Sequence, residues 1–172
     1  MPESWSKKLI GALMVMAVLT TGAWAQGGNP HFKAILNAFG ASTEEITTNL
    51  GPALAIVRNR LPAVMDGRTQ WQHVIRYNGL EIHTLRAEAS AGLPEQHWVE
   101  YISCWSSRYH FPGLNIGDHI DDAIRLLGTP SRRTGSQVTF DTKSDFAESQ
   151  RITLNVDRRG IIHKIQAAGY FR

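Results

Sequence analysis

Gly117-Asp118-His119-Ile120-Asp121-Asp122-Ala123-Ile124-Arg125-Leu126-Leu127-Gly128 lies without a gap over Gly40-Ala41-Ser42-Thr43-Glu44-Glu45-Ile46-Thr47-Thr48-Asn49-Leu50-Gly51, 77 positions earlier. The glycines, the acid pairs and the closing Leu-Gly coincide. Each stretch carries the start and stop signals of a short helix. Ser42 and Asp118 are polar residues suited to capping, the acids fall in the first turn where the helix dipole favours negative charge, and a Gly stands just past the last turn. Pro52 and Pro130 come soon after and end each helix, because proline has no N–H to donate and its ring crowds the preceding turn. In the later copy Ile120, Ala123, Ile124 and Leu127 recur at helical spacing as one apolar stripe, so that helix has to lie on something.

Beyond each helix the sequence turns strand-like. Trp71 to Tyr77 and Leu80 to Glu88 flank Asn78-Gly79, the strongest short-range signal for a two-residue hairpin turn. Pairing across that turn sets Tyr77 opposite Leu80, Ile75 opposite Ile82, His73 opposite Thr84 and Trp71 opposite Arg86 on the more apolar face, which should meet the helix. The other face carries Gln72, Val74, Arg76, Glu81, His83 and Leu85, with Arg76 opposite Glu81, and should see solvent or a partner. A third strand is predicted over His97 to Trp105. Alternation along it sets Trp98, Glu100, Ile102 and Cys104 on one face and Val99, Tyr101, Ser103 and Trp105 on the other, and Glu100 disfavours burying the first set. After the second helix the order recurs as Gln137 to Thr142, Arg151 to Val156, a turn at Asp157-Arg158-Arg159-Gly160, and Ile161 to Ala167. The expected fold class is α+β, in two tandem units. Each is a short helical segment followed by a three-stranded antiparallel meander, with the sheets side by side and helices on one face.

A Gly, a polar cap, an acid pair, a helix end at Leu-Gly with Pro just beyond, and a meander closing in a Gly turn resemble the SmpA/OmlA small outer-membrane lipoproteins. They also resemble the β-lactamase inhibitor protein family, which joins two such units in tandem. The resemblance covers about residues 37–170 and is best over Leu114 to Pro130. It implies an exported binding or envelope protein. The chain departs from the lipoproteins in lacking a lipidated Cys, and from the inhibitors in lacking disulfides and in carrying an extra segment, Ala53 to Thr69, with Arg58, Arg60, Arg68 and Pro62.

Residues 1–25 read as a cleavable signal peptide. Lys7 and Lys8 form the positive region, Leu9 to Leu19 the apolar one, and Ala23-Trp24-Ala25 supplies small residues where a signal peptidase cuts. The run to Ala25 contains Thr20, Thr21 and Gly22 and sits at or below the roughly 20 residues that a spanning helix needs. Cleavage would leave 147 residues with 16 basic and 14 acidic side chains, 13 of the basic ones Arg. The expected domains are therefore 1–25, a first helix-plus-sheet unit over 26–110 and a second over 111–172, with collagen-like chains and disulfide scaffolds excluded by 15 Gly and a single Cys. A net charge of +3 is mild for a nucleic-acid binder. Cys104 reads as a small buried hydrophobe.

Trp98, Tyr101, Trp105, Arg108 and Tyr109 are crowded into twelve residues, and Arg76 and His83 lie on the predicted outer face beside them. Trp, Tyr and Arg are the side chains that protein interfaces favour, so these seven are the candidate protein-binding residues. The rings of Trp71, Trp98 and Trp105 also suit a small core, and alternation alone leaves that open. Seven scattered histidines, none paired at the helical spacing that binds zinc, and the absence of Gly-x-Ser-x-Gly, phosphate-loop and dinucleotide patterns give no catalytic set, no metal site and no cofactor. His73, opposite Thr84 on the inward face, and His163, between Ile161 and Ile165, read as structural. The expected function is an exported, non-enzymatic protein-binding module, an inhibitor or immunity-type protein of the periplasm or the medium. Its partner would be another protein, in the envelope or outside the cell, with no nucleic acid and no membrane anchor after signal removal. A cell-envelope structural or assembly accessory and, less favoured, a small hydrolase stand as alternatives.

Overall fold

In the computed structural model, residues 29–63, 67–142 and 148–171 are described; the segment read as a signal peptide lies outside them. Asn78-Gly79 makes the turn expected of it. Gly79 adopts φ 87°, and a Cβ there would come within 2.3 Å of Ser106 Cβ, so both the backbone and the loop after the hairpin require glycine. On either side run β2 (Gln70–Tyr77) and β3 (Leu80–Ala87), in the predicted register from Tyr77↔Leu80 to Trp71↔Arg86. The hairpin is flanked in the first part of the chain by β1 (Ala55–Leu61), against β2, and by β4 (Gln96–Cys104), against β3. The later part supplies β5 (Arg132–Thr134), β6 (Gln137–Asp141), β7 (Glu148–Val156) and β8 (Ile162–Phe171).

All eight join one antiparallel sheet in the order β1-β2-β3-β4-β8-β7-β6-β5. This corrects the expectation of two tandem units of one helix and three strands. Tyr101 to Cys104 of β4 pair with Ala168 to Ile165 of β8, which makes the sheet continuous across the boundary expected at 110/111. One buried cluster runs from Ile75 and Ile82 through Ile102 and Ile165 to Leu154 and Phe140. The extra segment, to which the sequence pattern assigned no element, forms β1 in its first half, and β5 adds a further strand at the opposite edge.

Among the described residues three short helices cover one face. α1 (Pro30–Leu36), which the sequence pattern did not predict, lies over β4, β7 and β8 and buries Phe32, Ile35 and Leu36. α2 (Thr43–Leu50) begins at Ser42, whose Oγ accepts the Glu45 N–H at 3.1 Å, as predicted. α3 (Ile120–Leu127) is capped not by Asp118 but by His119. His119 Nδ1 accepts the Asp121 N–H at 3.2 Å and its Nε2 donates to Arg159 O at 3.0 Å, so one ring fastens the helix start to the β7–β8 turn. Asp118 instead accepts the Asn115 N–H at 2.6 Å. A Cβ on Gly160 would lie 2.7 Å from His119 Nε2, which explains a glycine at that turn. Cys104 is fully buried, and desolvation pushes its thiol pKa up, as suits an inert core residue. His163 is exposed, contrary to the expectation of a structural role. The register shift at Asn155/Val156 pairs Val156 with Ile162 and turns the His163 ring outward.

Candidate functional site

The sheet face opposite the helices carries the hydrogen-bonding side chains. On β2 and β3 this is the face read from the hairpin, with Gln72, Arg76, Glu81 and His83. On β4 simple alternation fails, because Thr84 pairs with Val99 while His83 pairs with Tyr101, leaving Glu100 as an inserted residue. The bulge sends Val99, Ile102 and Cys104 into the core together and sets Trp98 and Tyr101 on the uncovered face, opposite Leu85 and His83. It also resolves the objection raised by Glu100. That carboxylate accepts a hydrogen bond from Gln72 Nε2 at 2.8 Å on the same uncovered side and is not buried in the core.

Across β2, β3, β4 and β8 these side chains form a connected strip. Arg76 Nε donates to Glu81 Oε2 at 2.8 Å, Glu81 Oε1 lies 2.9 Å from His83 Nε2, and the His83 and Tyr101 rings meet edge-on with centroids 5.2 Å apart. Gln166 Nε2 of β8 donates to the Tyr101 hydroxyl at 2.6 Å. Glu81, held between an imidazole and a guanidinium, has its pKa lowered first by the His83 hydrogen bond and then by Arg76. A second strip at β6–β7 links Arg151 Nε to Asp141 Oδ1 at 2.6 Å, and Asp141 Oδ2 accepts from the Ser131 hydroxyl at 2.7 Å.

Four of the seven residues singled out from the sequence, Arg76, His83, Trp98 and Tyr101, therefore share the uncovered face. The other three do not join them. Tyr109 packs on the helix side, with its ring 6.1 Å from Phe39 and 6.4 Å from Tyr77 and its hydroxyl donating to Asn78 O at 3.2 Å. Arg108 is an exposed loop residue. Trp105 stands just past β4, 52% exposed, with its backbone N–H donating to Gly79 O at 2.9 Å. Gln166 was missed because only the β4–β8 pairing brings it to Tyr101, and no local pattern announces that pairing.

Beneath α2 lies a different polar group. Thr43 Oγ1 is 2.6 Å from His73 Nδ1 and 3.3 Å from Thr84 Oγ1. A hydroxyl beside an imidazole has the composition of a nucleophile–base pair. Thr43 and His73 are each only 7% exposed, however, so the pair pins a helix to the sheet and offers a substrate no approach. Among the described residues no three His, Cys, Asp or Glu side chains are grouped to hold a metal ion, and no helix is long and apolar enough to cross a membrane. No family model, curated protein or solved structure matches the chain.

Proposed function

We propose that this chain is an exported, non-enzymatic protein-binding module that grips a partner protein through the uncovered face of its sheet, in the manner of a periplasmic or secreted inhibitor or immunity protein. The observation that carries this reading is the strip Arg76–Glu81–His83–Tyr101–Gln166. Its members sit on four adjacent strands and hold one another in place, so little side-chain freedom remains to be lost when a partner docks. Arg76 is exposed beside the two rings, and Trp98 and Leu85 extend the strip with apolar surface. A rigid aromatic centre with a charged margin is the composition of an interface hot spot.

The test is isolation of one stoichiometric partner from envelope extract or culture medium, followed by titration against Arg76→Ala, Tyr101→Ala and the double variant. Both positions lie off the core, so far-ultraviolet circular dichroism should be unchanged. Tyr101→Ala should weaken binding about tenfold or more, the loss that interface hot spots show. Wild-type affinity in a folded double variant would remove the uncovered face from consideration.

A further inference from the structure

The two edges of the sheet are built differently. β5, at one edge, is three residues long and contains Arg132 and Arg133, a short charged end of the kind that discourages strand pairing. β1, at the other, is seven residues long, pairs with β2 along its whole length, and among the described residues has no strand on its far side. Six of its seven residues are exposed. Leu54 just before it is 75% exposed, and Ile56 and Val57 within it are 41% and 42% exposed. These are three of the five large hydrophobic side chains left exposed among the described residues. A long edge with aliphatic side chains is an invitation to a further strand.

Register with β2 sorts the side chains of that edge. Ile56, Arg58 and Arg60 lie opposite Ile75, His73 and Trp71 on the helix-covered side, while Val57, Asn59 and Leu61 lie opposite Val74, Gln72 and Gln70 on the uncovered side. Arg58 and Arg60 thus stand two residues apart on one face, and among the described residues neither has a carboxylate within ion-pair distance. Arg76, Arg86, Arg125, Arg151 and Arg159 each have one. A second copy of the chain is a poor occupant, since two-fold antiparallel pairing about the middle of β1 would set Arg58 against its own counterpart.

We propose that β1 is a strand-addition site for an extended acidic segment of another protein. The segment would carry Asp or Glu at alternate positions facing Arg58 and Arg60 and apolar side chains facing Val57 and Leu61. Main-chain hydrogen bonds to the free edge would supply affinity, and the alternation would supply selectivity. This site is separate from the uncovered-face strip and stands or falls independently of it.

The test uses the purified chain and three labelled, end-capped eight-residue peptides, read by fluorescence anisotropy. One alternates Glu and Val, one alternates Lys and Val, and one has the composition of the first rearranged as Glu-Glu-Val-Val repeats. The alternating Glu peptide should bind at least about tenfold more tightly than either of the others, because only it matches charge and face together. Arg58→Glu with Arg60→Glu, both exposed, should abolish that preference and transfer it to the Lys peptide. Slowed hydrogen exchange of β1 amides on adding the Glu peptide would support strand addition. Equal binding of the two Glu-containing peptides, unprotected β1 amides, or an unchanged preference in the charge-reversed variant would each overturn the proposal.

Discussion

Where α3 packs, Ile120, Ala123 and Leu127 are buried, and the contact is an aliphatic stripe set into the apolar cluster that sheet and helices share. Where α2 meets the sheet, Ile46 is buried, but the first turn rests on Thr43, His73 and Thr84, a polar cluster. The two helices have superimposable sequences, the same acid pair in the first turn and the same Leu-Gly ending. Matching signals therefore placed two helices without deciding how either is fastened. The apolar contact depends on area and tolerates small movements, whereas the polar one is only favourable while every donor and acceptor keeps its partner.

The widest contrast should come from Ile120→Ala, which removes buried methyl and methylene groups from α3 and should cost about 2–5 kcal/mol in denaturant unfolding. A loss under about 1 kcal/mol would mean that α3 is held chiefly by its His119 clasp and not by its stripe. On the other side of the comparison, Thr43→Val keeps the shape and deletes the hydroxyl, and should cost about 1–3 kcal/mol because His73 and Thr84 lose a buried partner. If that variant were neutral, the polar cluster would not be what attaches α2. Ser42→Ala, which takes away the Glu45 N–H acceptor, should cost about 1 kcal/mol.

The smallest effect is a pH slope that only the α2 contact should show. Burial pushes the His73 ring below its ordinary pKa, with the Arg58 guanidinium beside it acting in the same direction, then Arg86 and His97, while Glu44 on α2 opposes them. The folded chain thus keeps the ring neutral at a pH where the unfolded chain, with a pKa of about 6.5, takes up a proton. Stability from this group is complete above that value and is lost as pH falls through it towards the folded-state pKa. His73→Asn should flatten the slope, and an identical slope in that variant would assign it to another histidine.

Much of the local order was legible. Asn78-Gly79 fixed one hairpin and its register, Ser42 and Gly51 bounded α2, and Arg76 and His83 were placed on one face. The features that escaped did so for physical reasons. β1 reads Ala-Ile-Val-Arg-Asn-Arg-Leu, with charges on the side an inner strand would bury, because an edge strand needs no second neighbour. β5 is too short to show alternation. The bulge at Glu100 left Trp98 and Val99 on the faces expected of them and inverted those of Tyr101, Ile102 and Cys104, since an inserted residue shifts the phase of everything beyond it. The joining of all strands into one sheet depends on β4 choosing β8 from far along the chain, Tyr101 meeting Ala168, a tertiary choice that no stretch of sequence records by itself.

That junction leaves one border open until distant parts of the chain meet. In a partly folded molecule whose β4 has not yet found β8, Ile102 and Cys104 sit on an unpaired strand border, because their neighbours there, Ala167 and Ile165, lie far along the chain. A chaperone or a holding factor that favours exposed strand borders would find its target in such a molecule and lose it once β8 docks.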